Sequence, residues 1–137
     1  MPTMPALLTA RWAATLAALA LWATSIPWLA EALGQELDVA TRLEIADHVI
    51  PGLLLLAVAG LLAIGSPPSG STSWLGAGAL VFLSGLWITA THVPLIPGAL
   101  DGTAPVGAAL LHLSAGPPVL AAGLWMMLAR PPETAAS

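Results

Sequence analysis

The feature that most constrains this chain is the placement of its charged residues, which leaves long uncharged intervals. No Asp, Glu, Lys or Arg occurs in residues 12–30, 48–100 or 102–129. The middle interval is 53 residues long, and it is divided by the run SPPSGSTS at 66–73, which cannot continue a helix. About 20 apolar residues in a helix cross the hydrocarbon core of a bilayer. The intervals therefore predict four transmembrane helices and a lipid bilayer as the surrounding solvent.

The predicted fold class is all-α: an integral membrane four-helix bundle that forms one domain over residues 1–137. The composition agrees, because 58% of the residues are hydrophobic and 7% are charged. The connection at 30–45 carries regularly spaced leucines between its charges, and this pattern predicts a short interfacial helix between helices 1 and 2. The four spans are expected over residues 8–29, 46–64, 74–95 and 105–128.

Composition excludes several classes of function. The net charge is −4, from seven acidic residues and three arginines with no lysine, whereas nucleic-acid binding needs clustered basic residues. The chain has no cysteine, so it forms no disulfide and no thiolate metal site. No nucleophile–base pair, phosphate-binding loop or pair of buried carboxylates is present, so the sequence does not predict an enzyme.

The few charges predict the orientation in the membrane. Arg11 and Arg130 flank the first and last spans, and with an even number of spans they lie on the same side. Six acids and one arginine lie on the other side. The positive-inside rule then places both termini in the cytoplasm, in an inner membrane of bacterial type. The residues on the outer side are Glu31, Glu36, Asp38, Arg42, Glu44, Asp47 and Asp101.

The two halves of the chain repeat the same landmarks. LWATSIPW aligns with LWITATHV at an offset of 65, so that Trp22 matches Trp87. HVIPG aligns with HLSAG at an offset of 64, so that His48 matches His112. The pattern indicates a duplication with repeats over about 8–64 and 74–129. A repeat of two helices keeps its direction in the membrane, so the halves should be related by an axis along the membrane normal.

The landmarks of the first half resemble the SPW repeat, a two-helix membrane repeat with Trp and Ser-Pro-Trp in its first helix and a polar residue and Gly in its second. The positions that match in the first half are Trp22, Pro27, Trp28, Asp47 and Gly52. The resemblance covers about 100 residues. It implies an architecture of tandem helical hairpins and implies no catalytic chemistry.

The second half matches the SPW repeat less completely. It keeps Gly85-Leu86-Trp87 and Gly116, but it has His92-Val93 where Pro-Trp would stand. The first half also departs from the signature, because Ile26 precedes Pro27 and the serine comes one residue earlier.

The histidines are the candidate ligands. His48 and His112 open helices 2 and 4, and His92 closes helix 3, so all three are expected at the outer side. Glu44 precedes His48 by four residues and would share its helical face. Glu44, His48, His92 and His112 therefore form a candidate site for a divalent metal, and His48 with His112 could instead ligate a haem or a chlorophyll-type pigment. The competing interpretation is that these are ordinary interfacial residues at helix ends.

Small residues on helices 1 and 3 form candidate partner surfaces, since close approach of backbones drives helix association in lipid. The same residues could instead serve packing within the chain. The preferred function is a small accessory subunit of a larger membrane complex, respiratory or photosynthetic. The alternatives are a ligand-carrying subunit that uses His48 and His112, or a small transporter or channel, although the spans carry no deep acidic or basic residue. The candidate partner-facing residues are Ala13, Ala17, Ala20, Gly76, Gly78 and Gly85.

Overall fold

A computed structural model describes residues 4–35 and 41–129; for residues 4–6, 41, 42 and 44 it describes the backbone alone. Every regular element in these ranges is helical, as the sequence predicts. The helices are α1 (Met4–Ala32), α2 (Thr41–Gly65), α3 (Thr72–His92), α4 (Leu95–Asp101), α5 (Val106–Leu113) and α6 (Gly116–Leu128).

Four helical segments within the described ranges are long and apolar enough to cross a membrane, which confirms the predicted number of spans. The third span combines α3 with α4, and the fourth combines α5 with α6. The protein is therefore of the integral membrane class. The four segments are Leu7–Ala32, Ile45–Gly65, Thr72–Asp101 and Val106–Leu128.

The connection between the first two spans is described only in part. Gly34 adopts a left-handed conformation with φ of 63°, its N–H donates to the Glu31 carbonyl, and the Gln35 N–H donates to the Ala30 carbonyl. This pair of bonds is a Schellman motif, which ends α1. The described parts of 30–45 belong mainly to α1 and α2, and residues 36–40 of the predicted interfacial helix lie outside the described residues.

Prolines account for the breaks within the third and fourth spans. Pro94 lies between α3 and α4, and Pro117 and Pro118 occupy the first turn of α6 after α5 has ended. Proline lacks the N–H that continues a helix. Pro51 instead lies inside α2, ten residues after its start, so the carbonyl of Asp47 loses its usual donor four residues along.

Two helix pairs carry most of the packing: α1 lies along α2, and α3 lies along α6. At one end of the molecule the buried indole of Trp74 donates its Nε1–H to the Met126 carbonyl at 2.8 Å, and its ring meets Trp12 edge-on at 6.3 Å. The main core consists of Ala13, Leu16, Ala20, Leu55, Val58, Ala59, Leu62, Trp74, Val81, Val119 and Met126.

Most of the candidate partner-facing residues pack inside the chain. Ala13 and Ala20 belong to the core, and Ala17 packs against it. Gly78 and Gly85 lie against α6, where an added Cβ would meet Met126 or the backbone at Leu120. Gly76 differs, because nothing lies within 4 Å of the place its Cβ would take. Five of the six positions therefore serve internal contacts.

Candidate functional site

The three histidines lie together although they come from three different helices. His48 belongs to α2, His92 is the last residue of α3, and His112 belongs to α5. His48 and His112 are fully buried, and His92 is 5% exposed. They are the largest polar side chains buried in the described part of the chain, so they form its clearest candidate site.

The three rings are in direct contact. The ring centroids of His48 and His92 lie 4.6 Å apart, and both of these rings lie 5.4 Å from the ring of His112. The rings of His92 and His112 are nearly parallel, with 27° between their planes. His48 is tilted by 42° and 59° to the other two. We call these three residues the histidine cluster.

Two members of the cluster are oriented by their own helices. The Nδ1–H of His92 donates to the Ile88 carbonyl at 2.7 Å, and the Nδ1–H of His112 donates to the Ala108 carbonyl at 2.8 Å. The Thr91 hydroxyl also lies 3.0 Å from Nδ1 of His92. These bonds assign the proton to Nδ1, so the lone pair of each ring is carried by Nε2.

The hydrogen bonding of His48 differs from that of the other two rings. Both of its ring nitrogens are buried, and neither has a hydrogen-bond partner among the residues that the structure describes. Burying a polar group without a partner costs about 1–3 kcal/mol. Within the described part of the chain, no hydrogen bond offsets the desolvation of the His48 ring.

A small apolar layer adjoins the histidine cluster. Ala23 and Ile26 of α1 pack there with Ile88 of α3 and Ala115, and Leu111 covers their edge. Ile88 is also the residue whose carbonyl orients His92. This apolar layer therefore contains side chains from both halves of the chain.

Glycine allows the helices to approach closely one turn after each of two histidines. Gly52 follows His48 by four residues, and an added Cβ there would overlap the Thr24 hydroxyl. Gly116 follows His112 by four residues, and an added Cβ there would overlap the Thr89 hydroxyl. Each threonine hydroxyl donates to the carbonyl four residues before it, at 2.7 Å. The backbone at His48 and at His112 is therefore held in the same way against α1 and α3.

Two tryptophans link the halves near the cluster. The Trp22 indole N–H donates to the Ser114 hydroxyl oxygen at 3.0 Å, and the Trp87 indole N–H donates to Oδ1 of Asp47 at 3.2 Å. Sequence reasoning identified the tryptophans as landmarks of the repeat but did not assign them these partners. Hydrogen bonds between helices depend on the rotation of each helix about its axis, and the repeat pattern does not report that rotation.

The cluster is not a formed coordination shell. No group of three or more His, Asp or Glu side chains within the described ranges stands in an arrangement that could hold a metal ion. Glu44, predicted as a fourth ligand, lies in α2, but its side chain is outside the described residues. The structure thus brings the three predicted histidines together without converging their nitrogens on one point.

Comparisons with protein families, with characterised proteins and with solved structures gave no match. The resemblance to the SPW repeat stays a prediction from the sequence.

Proposed function

We propose that this integral membrane protein binds one divalent transition-metal ion, of the Zn²⁺, Cu²⁺ or Ni²⁺ class, through His48, His92 and His112. The observation that carries the proposal is the meeting of three buried imidazoles at ring distances of 4.6–5.4 Å. Imidazoles that share one tetrahedral ion at Zn–N distances of about 2.0–2.1 Å have ring centroids about 5 Å apart. The spacing of the cluster matches that value.

The orientation of two rings supports the proposal. Histidines that ligate metals almost always donate their other ring N–H to a carboxylate, a backbone carbonyl or water, which fixes the tautomer. His92 and His112 make this bond through Nδ1 to their own helices. Their Nε2 atoms are then the nitrogens that would bind the ion.

Binding would require His48 to turn so that one of its nitrogens joins those of His92 and His112. This rotation breaks no hydrogen bond to a described residue, because neither His48 nitrogen has a partner among those residues. Coordination would also satisfy a buried polar group that otherwise carries a desolvation cost. The free energy of binding therefore includes relief of that cost.

The donor set determines the class of ion. Neutral imidazole nitrogen suits zinc, copper and nickel, whereas calcium and magnesium prefer oxygen ligands. The chain has no cysteine, so it offers no thiolate for a soft ion such as Cu⁺. A borderline divalent ion is the best match for three imidazoles.

A haem or a chlorophyll-type pigment fits the cluster less well. A macrocycle ligated by both His48 and His112 would have to separate two rings whose centroids lie 5.4 Å apart. It would also displace His92, which contacts both of them. A single ion requires only the rotation of one ring.

The proposal is tested with the full chain in lipid nanodiscs, dialysed against buffered Zn²⁺ or Cu²⁺. We expect one ion per chain and, for Cu²⁺, an electron paramagnetic resonance spectrum with nitrogen superhyperfine splitting. Replacement of any one histidine by alanine should weaken binding at least about tenfold. Ser84→Ala is the control, since this buried hydroxyl bonds only to the Leu80 carbonyl of its own helix in the described structure. Substoichiometric binding, or equal affinity in the histidine variants, would refute the proposal.

We further propose that the helices form a four-helix bundle of two tandem hairpins, with both termini in the cytoplasm of a cell with a bacterial-type inner membrane. The contact of Gly52 with Thr24 in one half and of Gly116 with Thr89 in the other supports the repeat. The exposed charge of Arg11 supports the orientation. In this orientation the histidine cluster lies near the outer face of the membrane.

A second candidate function, an accessory subunit of a larger membrane complex, is favoured by the seam between α2 and α3. Cavities of about 410 Å³ and 470 Å³ lie along this seam and share Leu80. Gly76 lines one of them, and nothing lies within 4 Å of its Cβ position. A transmembrane helix of another protein would fit such a seam, because small residues let backbones approach.

Native electrophoresis of mildly solubilised membranes tests the accessory-subunit proposal. Gly76→Leu fills open space and should release the chain from its complex while leaving its helicity unchanged. Ala121→Leu, at an exposed position of α6 away from the seam, is the matched control. If the unmodified chain already migrates alone, the chain is not a subunit of a stable complex.

A further inference from the structure

The two tryptophan bonds near the histidine cluster are reciprocal between the halves of the chain. Trp22 of the first half donates to Ser114 of the second, and Trp87 of the second half donates to Asp47 of the first. The two tryptophans are matching positions of the sequence repeat. Each acceptor lies within two residues of a cluster histidine, since Asp47 precedes His48 and Ser114 follows His112 by two.

Both histidine-bearing segments adjoin a proline that removes one backbone hydrogen bond. Pro51 cannot donate to the Asp47 carbonyl, and Pro118 cannot donate to the Ser114 carbonyl. The residue with the weakened backbone bonding is in each case the residue whose side chain accepts from a tryptophan. The indole bonds therefore restrain two segments that their own helices restrain less firmly.

From this arrangement we propose that Trp22 and Trp87 are positioning residues of the metal site, holding His112 and His48 at the separation that one ion requires. The inference rests on the proposed metal binding.

The test uses Trp22→Phe and Trp87→Phe in the full chain in nanodiscs, with Cu²⁺ as the probe. Phenylalanine keeps an aromatic ring and removes the indole N–H. We expect a stoichiometry of one ion per chain, affinity about tenfold weaker, and altered copper hyperfine and nitrogen splittings. Trp28→Phe is the matched control: Trp28 is an exposed tryptophan of α1 with no indole hydrogen bond among the described residues, and its replacement should leave both readouts unchanged.

Two variants of the acceptor Asp47 distinguish a positioning role from electrostatic attraction between its carboxylate and the bound ion. Asp47→Asn removes the negative charge but keeps an acceptor oxygen, so it should retain more Cu²⁺ affinity than Asp47→Leu, which removes both. If charge alone mattered, the two variants would lose affinity equally, and the positioning role would be wrong. The two Asp47 variants also test the positioning role if a tryptophan variant fails to fold.

The outcomes for the two proposals are distinct. If the unmodified chain binds no Cu²⁺ at the histidines, the proposed function fails, whatever the tryptophans do. If the unmodified chain binds one ion and both tryptophan variants match it in affinity and spectrum, the metal site stands and the positioning role is refuted.

Discussion

Gly52 of α2 lies so close to Thr24 of α1 that a methyl group at position 52 would overlap the threonine hydroxyl. That hydroxyl is itself bonded to the Ala20 carbonyl at 2.7 Å, and the same carbonyl lies 3.2 Å from the place of the added methyl. The threonine therefore cannot turn away without losing a hydrogen bond. In the second half, a methyl group at position 116 would likewise overlap the Thr89 hydroxyl, which is bonded to the carbonyl of Gly85.

We predict from this contact that Gly52→Ala and Gly116→Ala each destabilise the protein by about 1–3 kcal/mol, the usual cost of overpacking. Gly60→Ala is the control in the same helix as Gly52, because nothing lies within 4 Å of its Cβ position. Reversible unfolding in mixed micelles measures the differences. Equal stability of Gly52→Ala and Gly60→Ala would contradict the described approach of α2 to α1.

His48→Leu should stabilise the metal-free protein, because it replaces a buried polar side chain that has no hydrogen-bond partner among the described residues with an apolar one. The expected gain is about 1–3 kcal/mol. His112→Leu removes a side chain that already donates to the Ala108 carbonyl, so its gain should be smaller. Both variants should lose Cu²⁺ binding. A destabilised His48→Leu protein would show that this ring has a partner of its own.

Metal binding should raise thermal stability. At a free Zn²⁺ concentration about 100 times the dissociation constant, the native state gains about 2.7 kcal/mol. Melting curves with and without Zn²⁺ measure it. A zinc-induced shift that persists in His92→Ala would place the ion elsewhere.

Cysteine labelling should test the orientation. The connection at 66–71 lies between the second and third spans, so with cytoplasmic termini it faces the cytoplasm. Ser69→Cys should react with an impermeant maleimide only from inside, and Thr103→Cys only from outside. Ser71 is less suitable, because its hydroxyl oxygen accepts from the Trp74 N–H and caps α3. The opposite labelling pattern would invert the proposed topology.

The spans could be predicted from the sequence because charge and hydropathy directly report which residues tolerate lipid. The residues at which the helices end could be predicted less well. The predicted first helix stopped at residue 29, whereas α1 continues to Ala32 and is ended by the left-handed Gly34. Pro27 is accommodated within α1.

The candidate site was predicted by its residues and not by its geometry. The sequence places His48, His92 and His112 at one depth, because each lies near the same end of a span. The depth of a residue in the membrane does not determine how its helix is rotated about its own axis, so contact between the three rings could not be predicted from the sequence. The partner-facing surfaces show the same limit: glycine marks a close approach at Gly85, but it does not say whether the neighbour is α6 or another protein.

Under the proposed duplication, the two halves of the chain contribute unequally to the histidine cluster. Position 92 is histidine, and the matching position in the first half is Pro27, so one half brings one ring and the other brings two. Two identical hairpins would generate such a set of three rings twice or not at all. A fused pair, by contrast, can let one copy diverge and so hold a single asymmetric site. If the two halves were co-expressed as separate polypeptides, retention of the ion would then show that they had reassembled.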